Sequence, residues 1–222
     1  MCGRFSLAFF DLEFIAELLD AECDQSEFAA FSARHNIAPS SRHWIVTAAG
    51  GSKRLLPAHW GWAGRSGPLL INVRSETIAT KPTFAHAWQE QRCLVPADGF
   101  FEWKPENGTK LPFWFSSATN ELLLMGGLYR PTPDEGLEFV IATTAANTIV
   151  QPVHHRMPVF IPPTQAADWL AAPRHHLCAP APETLLSARE VSSWVNSAQH
   201  EGPRCIEPLA PSGRPRQLSL FS

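Results

Sequence analysis

The stretch Arg92-Cys93-Leu94-Val95-Pro96-Ala97-Asp98-Gly99-Phe100-Phe101-Glu102-Trp103-Lys104-Pro105-Glu106-Asn107-Gly108-Thr109-Lys110-Leu111-Pro112-Phe113-Trp114-Phe115-Ser116-Ser117 holds two apolar runs, 92–104 and 111–117. Between them lies Asn107-Gly108, a pair that tolerates the positive φ of a tight two-residue turn, so the segment predicts an antiparallel hairpin. Upstream, apolar runs at 44–49, 54–62 and 68–78 are short and bounded by Gly, Pro or Ser, as strands are. Downstream, 121–129, 138–144 and 157–161 read the same way. Helical patterns are fewer. Asp11 can cap a helix over 11–22 with Leu12, Ile15, Ala16 and Leu19 on one face and Glu13 and Glu17 on the other. Shorter helices are predicted over Phe84 to Gln91, after Pro162-Pro163-Thr164 through Trp169 and Leu170, and over Pro182 to Arg189. Strands outnumber helices without alternating regularly with them, which argues against a doubly wound sheet and favours a mixed α+β domain. The expected fold is a single α+β domain over 1–210, with a largely antiparallel, barrel-like sheet system and a few peripheral helices. A mobile tail is expected over 211–222, where Pro, Ser, Gly and Arg dominate.

The chain has 222 residues, 45% of them hydrophobic, enough for one sizeable core. No run reads as a membrane span, and Asp11 and Glu13 interrupt the apolar stretch Leu7 to Phe10 that a secretory signal would need. Five cysteines with no CxxC pair argue against a disulfide framework and a cysteine zinc site, which fits a reducing, cytoplasmic setting. A net charge of −3 gives no overall attraction to nucleic acid, so such binding requires a local basic patch.

The N-terminus is Met1-Cys2-Gly3-Arg4-Phe5. Loss of Met1 leaves Cys2 with a free α-amine and a thiol, a 1,2-aminothiol. The amine condenses with an aldehyde to an imine, and the thiol closes onto the imine carbon to give a five-membered thiazolidine. An α-amine with a pKa of about 7.7–8.0 keeps a useful neutral fraction near neutrality, which a lysine at about 10.4 does not.

Three further segments place polar groups inside apolar runs. In Ile71-Asn72-Val73-Arg74-Ser75-Glu76-Thr77, strand alternation puts Asn72, Arg74 and Glu76 on one face, either for a ligand or as an exposed face with an ion pair. Glu102 sits among Phe100, Phe101 and Trp103; desolvation there would raise its pKa toward the range of a general acid or base, unless it lies on an exposed strand face. Val153-His154-His155-Arg156-Met157-Pro158 offers imidazole and guanidinium groups, with no spacing that completes a zinc site. Of the tryptophans, any exposed beside Arg would form a stacking platform for single-stranded nucleic acid.

Together, Met1 to Phe5, Asn36-Ile37-Ala38-Pro39, Trp60-Gly61-Trp62, Ile71 to Thr77, Phe101-Glu102-Trp103-Lys104 and His154 to Pro158 closely resemble the SRAP family, the SOS-response-associated peptidases or abasic-site processing proteins. The resemblance implies a protein that crosslinks itself to abasic sites in single-stranded DNA, with no cofactor and no metal. It implies Cys2 as nucleophile, Asn72 orienting its amine, Glu102 as acid/base and His154 assisting imine chemistry. It implies DNA contacts by Arg4, Pro39, Trp60, Arg74, Lys81, Trp103, Thr143 and Arg156. His155 departs from the family pattern, where many relatives have Asp.

Two other readings compete: a cysteine peptidase acting on other proteins, with Cys2 as nucleophile and His154 or His155 as base, and a non-catalytic single-strand binder. The tail ends in Gln217-Leu218-Ser219-Leu220-Phe221, which resembles the peptide by which bacterial replication and repair proteins bind the sliding clamp. Leu218, Leu220 and Phe221 would fill apolar pockets, with Gln217 hydrogen-bonding at the rim. The protein is expected to act as a monomer.

Overall fold

The computed structural model describes residues 2–63, 67–134 and 136–209. Its strands are β1 (Phe5–Leu7), β2 (Ala21–Glu22), β3 (Arg34–Ile37), β4 (Arg42–Ala49), β5 (Ser52–Trp60), β6 (Asn72–Arg74), β7 (Arg92–Ala97), β8 (Gly99–Glu106), β9 (Thr109–Ser117), β10 (Leu123–Pro131), β11 (Leu137–Ala145), β12 (Arg156–Pro158) and β13 (Leu186–Glu190). Its helices are α1 (Leu12–Leu19), α2 (Gln25–Ala30), α3 (Pro82–Glu90) and α4 (Ala166–Ala171). No helix among the described residues is long and apolar enough to cross a membrane.

The hairpin predicted from Asn107-Gly108 is present. The two residues have φ of 48° and 78°, and the register Glu106↔Thr109 through Gly99↔Ser116 follows from that two-residue turn. The run 92–104, however, is two strands rather than one. It breaks at Asp98, whose buried carboxylate accepts hydrogen bonds from Ser6 Oγ and the backbone N–H groups of Ala8 and Phe9. That anchor turns the chain from one sheet into another, so β7 and β8 belong to different sheets.

One sheet closes on itself. β5, β4, β7, β10 and β11 pair in turn, and a parallel contact between β11 and β5 at Phe139↔Trp60 joins the ends. β6 and β12 extend this ring beside β11, β6 parallel and β12 antiparallel to it. The second sheet has the order β13-β9-β8-β1-β3. The architecture is therefore the expected α+β, mostly antiparallel and ring-like, with few helices.

Helix α1 has the predicted cap, Asp11 Oδ1 accepting from Phe14 N at 2.8 Å, and buries Leu12, Ile15 and Leu19. It ends at Leu19 because Asp20 takes a left-handed conformation with φ 51°. The helix predicted over 182–189 is a correction: only Glu183–Leu185 forms a 3₁₀ turn, and β13 follows, completing the hydrogen-bonding edge of β9 from Leu186↔Ser117 to Glu190↔Phe113. The run 68–78 likewise shortens to β6, with a turn from Ser75 onward, so Glu76 lies beyond the strand face it was expected to share with Asn72 and Arg74. Helices α3 and α4 are tied to the ring by Arg92. Its buried guanidinium donates to the carbonyls of Trp88, Trp169 and Leu170 at 2.5, 2.8 and 3.0 Å, satisfying backbone acceptors near both helix ends.

Candidate functional site

The start of the chain is carried to Glu102 by strand pairing. β1 pairs with β8 at Phe5↔Phe100 and Ser6↔Gly99, and Phe101 N donates to Arg4 O at 2.9 Å. Continuing that antiparallel register brings Gly3 and Cys2 level with Glu102 and Trp103. Cys2 is fully buried there.

The ring sheet supplies the opposite side. β6 pairs with β11 at Ile141↔Asn72, and from this position Asn72 Nδ2 donates to the carbonyl oxygen of Cys2 at 2.8 Å. The amide thus grips the backbone of Cys2 through its carbonyl. Its other atom, Oδ1, is buried with no hydrogen-bond partner among the described residues. On the far side of β11, β12 pairs at Ala145↔Arg156, which puts His154 just ahead of β12 and within reach of Glu102, with Nδ1 at 3.7 Å from Oε1.

Burial sets the acid–base character of the group. Glu102 is only 4% exposed, and desolvation pushes its carboxyl up to about 7. The Cys2 thiol is pushed well above the usual thiol range by burial, reinforced by the nearby Glu102. Burial also moves His154 down. His154 Nδ1 lies 3.0 Å from the backbone N–H of Arg156 and 3.1 Å from its carbonyl oxygen, so the backbone of Arg156 holds the ring in place. A cavity of about 460 Å³ opens beside these groups, lined by Glu102, Trp103, Lys110, His154 and Asn196.

The cations expected to bind phosphate are in different situations. Arg4 donates to Asn36 Oδ1 at 2.6 Å and to Val195 O at 3.0 Å, with its guanidinium 5.9 Å from the Trp103 ring centroid. Arg156 is bidentate to Glu76 at 2.5 and 2.9 Å and also donates to Thr143 O. The polar face read from the sequence is therefore partly an internal ion pair. Arg74 and Lys81 are exposed, Lys81 with its ammonium 5.3 Å from the Phe84 ring centroid. Pro39 is half-buried in the turn after β3.

Trp60 is fully buried, stacked on Phe139 with Nε1 donating to Ile71 O, and so packs in the core rather than on a DNA-facing surface. Thr143 is also fully buried, its hydroxyl donating to Val73 O at 3.2 Å. Trp62, Phe100 and Phe101 are buried as well, and Trp103 is the aromatic residue that lines the cavity. Gln217, Leu218, Leu220 and Phe221 lie outside the described residues, as does Met1.

The family model described as SOS response associated peptidase (SRAP) matches residues 1–198. The chain belongs to the SRAP family. Among similar proteins, the abasic site processing protein YoqW of Bacillus subtilis is 32% identical over 93% of this chain and 99% of its own length. The abasic site processing protein YedK of Escherichia coli is 31% identical over 94% and 100%. The solved structure of a Bacteroides thetaiotaomicron protein covers 94% of this chain and 100% of its own, with a TM-score of 0.78 at 21% identity, which establishes the shared fold.

Within this SRAP fold, the sequence reading missed Lys110 and Asn196, both on the cavity wall. Lys110 was accessible in principle. The Asn107-Gly108 turn sets Pro105 opposite Lys110, and Pro105 shares a strand face with Trp103, so Lys110 falls diagonally beside that indole. Asn196 carries no local signal. It arrives through a 3₁₀ turn, Ser193–Asn196, nearly a hundred residues along the chain from Trp103, to which it accepts a hydrogen bond from Nε1 at 2.7 Å.

Proposed function

We propose that this protein captures the ring-opened aldehyde of an abasic site in single-stranded DNA as a thiazolidine on Cys2, after Met1 has been removed. The observation that carries the reading is the grip of Asn72 on Cys2, beside a carboxyl held near 7. The names of the relatives YoqW and YedK as abasic site processing proteins agree with it.

The neutral α-amine adds to the sugar C1′ aldehyde to give a carbinolamine. Protonated Glu102 donates to the departing hydroxyl, water leaves, and an imine forms. The Cys2 thiol then adds across the C=N bond, sulfur to carbon and proton to nitrogen, closing the ring. Aldehyde and aminothiol thus yield thiazolidine and one water. Asn72 Oδ1, without a partner among the described residues, is the acceptor available to an amine N–H. His154 assists the opened sugar.

A peptidase acting on other proteins is less well supported. Such an enzyme attacks with a thiolate, and the burial of Cys2 next to Glu102 disfavours that form. In the thiazolidine route the amine attacks first, and the thiol reacts with an already activated carbon.

The deciding measurement is the intact mass of the protein after incubation with an abasic oligonucleotide. The expected adduct equals the chain without Met1 plus the DNA minus one water. An adduct that retains Met1 would overturn the mechanism, since acylation turns the Cys2 amine into a non-nucleophilic amide.

The tail is proposed to tether the protein to a bacterial sliding clamp through Gln217, Leu218, Leu220 and Phe221, with the preceding Pro/Gly/Arg stretch as linker. Calorimetric titration of a clamp should give binding by the full chain. That binding should be lost on truncation after Arg216 and in the Leu220→Ala, Phe221→Ala double variant. Equal binding by all three proteins would refute the tether and leave the Cys2 chemistry untouched.

A further inference from the structure

The cavity wall carries two donors that the reaction above does not use. Lys110 lies on β9 at the cavity, exposed, with no carboxylate paired to it among the described residues. Asn196 lines the same wall. Trp103 Nε1–H can only donate, so the Asn196 atom that meets it at 2.7 Å is Oδ1, and the amide Nδ2 remains without an acceptor among the described residues.

The other charges narrow what these donors serve. Arg4 is held by Asn36 and Val195, and Arg156 by Glu76. Burial keeps Glu102 protonated through part of the neutral range and lowers the affinity of His154 for a proton. Lys110 is therefore the one permanent cation lining the cavity among the described residues. A cation and an amide N–H on the wall of one cavity that also carries an indole match a phosphodiester oxygen whose neighbouring base stacks.

We propose that Lys110 and the Nδ2 of Asn196 form a phosphodiester subsite for the strand whose abasic sugar enters the cavity. The proposal rests on the reading that this cavity receives DNA. Lys110 supplies the charge and a salt-dependent share of affinity. Asn196 does two jobs: Oδ1 fixes the Trp103 indole, and Nδ2 donates to the phosphate.

The test is a fluorescence-anisotropy salt titration with two single-stranded oligonucleotides, one undamaged and one carrying a tetrahydrofuran abasic analogue that cannot react. Lys104, on the same hairpin and 3.7 Å from Glu106, is the matched control. Lys110→Ala should reduce the slope of log K against log salt by about 0.7, the value for one phosphate contact on a single strand, and weaken low-salt binding by roughly threefold to tenfold. Lys110→Arg should restore both, and Lys104→Ala should leave the slope at the parent value. Asn196→Asp keeps the acceptor for Trp103 but replaces the donor with a negative charge, so it should weaken binding more than Lys110→Ala does. Equal slopes for Lys110→Ala and Lys104→Ala, or parent-like binding by Asn196→Asp, would overturn the subsite. A parent protein that shows no preference for the analogue would instead count against the abasic-site reading, while the Lys110 slope would remain measurable on the undamaged strand.

Discussion

Cys2→Ala is expected to eliminate the detergent-resistant adduct with abasic single-stranded DNA, a loss of at least about 100-fold on a denaturing gel. The variant keeps its α-amine, so the first half of the reaction survives: amine adds to aldehyde, water leaves, and an imine forms. Without sulfur the ring cannot close, and the imine hydrolyses when the protein unfolds. Borohydride added before denaturation should therefore trap a reduced amine in the variant. Cys2 is fully buried, so truncation to Ala removes one sulfur from a packed site, and Cys2→Ser supplies a nearly isosteric check on folding. An adduct yield equal to the parent's would sink the aminothiol mechanism. So would failure of borohydride to trap anything in a variant that still binds DNA, since the amine is proposed to react first.

Much of the fold was readable from local pattern. Asn107-Gly108 set the β8–β9 hairpin because both residues must take positive φ, and Asp11 capped α1 where the apolar stripe begins. The misses came from contacts between distant residues. Asp98 looks like one polar residue in a long strand, yet its carboxylate collects groups from Ser6, Ala8 and Phe9 and moves the chain between sheets. Residues 186–190 become a strand because β9 offers an open edge, which no periodicity in the segment announces.

The site divides in the same way. Glu102 in an aromatic run was a fair sign of a desolvated carboxyl, because the cause lies in its immediate neighbours. That Cys2 would meet it was beyond local pattern, since the β1–β8 pairing spans most of the first half of the chain. Arg156 shows the limit of reading charge: a guanidinium beside a strand has the same appearance in sequence whether it faces a phosphate or Glu76. Trp60 shows the limit of reading aromatics, for the same residue type serves a stacking surface or a core contact with Phe139.

Glu102→Gln should slow adduct formation and stabilise the protein above neutral pH. The carboxyl is raised from its ordinary 4.5 to about 7 by burial, so the folded state binds this proton more tightly than the unfolded chain does. Its contribution to stability is fully present below pH 4.5 and is lost as pH rises through 7. At pH 8 the parent then carries a buried carboxylate that opposes folding by roughly 3 kcal/mol, and neutral Gln removes that penalty. Thermal melts should show the variant more stable than the parent at pH 8, with the gap closing toward pH 4.5. The rate should move the other way, falling roughly 10²- to 10⁴-fold in single-turnover crosslinking, because no group then protonates the departing hydroxyl. The parent requires a neutral amine and a protonated Glu102, so its rate should peak between about 7 and 8 and decline on both sides. The variant should lose the alkaline decline and keep the acid limb set by the amine. A variant that is less stable than the parent at pH 8, or one that retains both limbs, would mean that Glu102 is a charged structural partner and not the acid of the reaction.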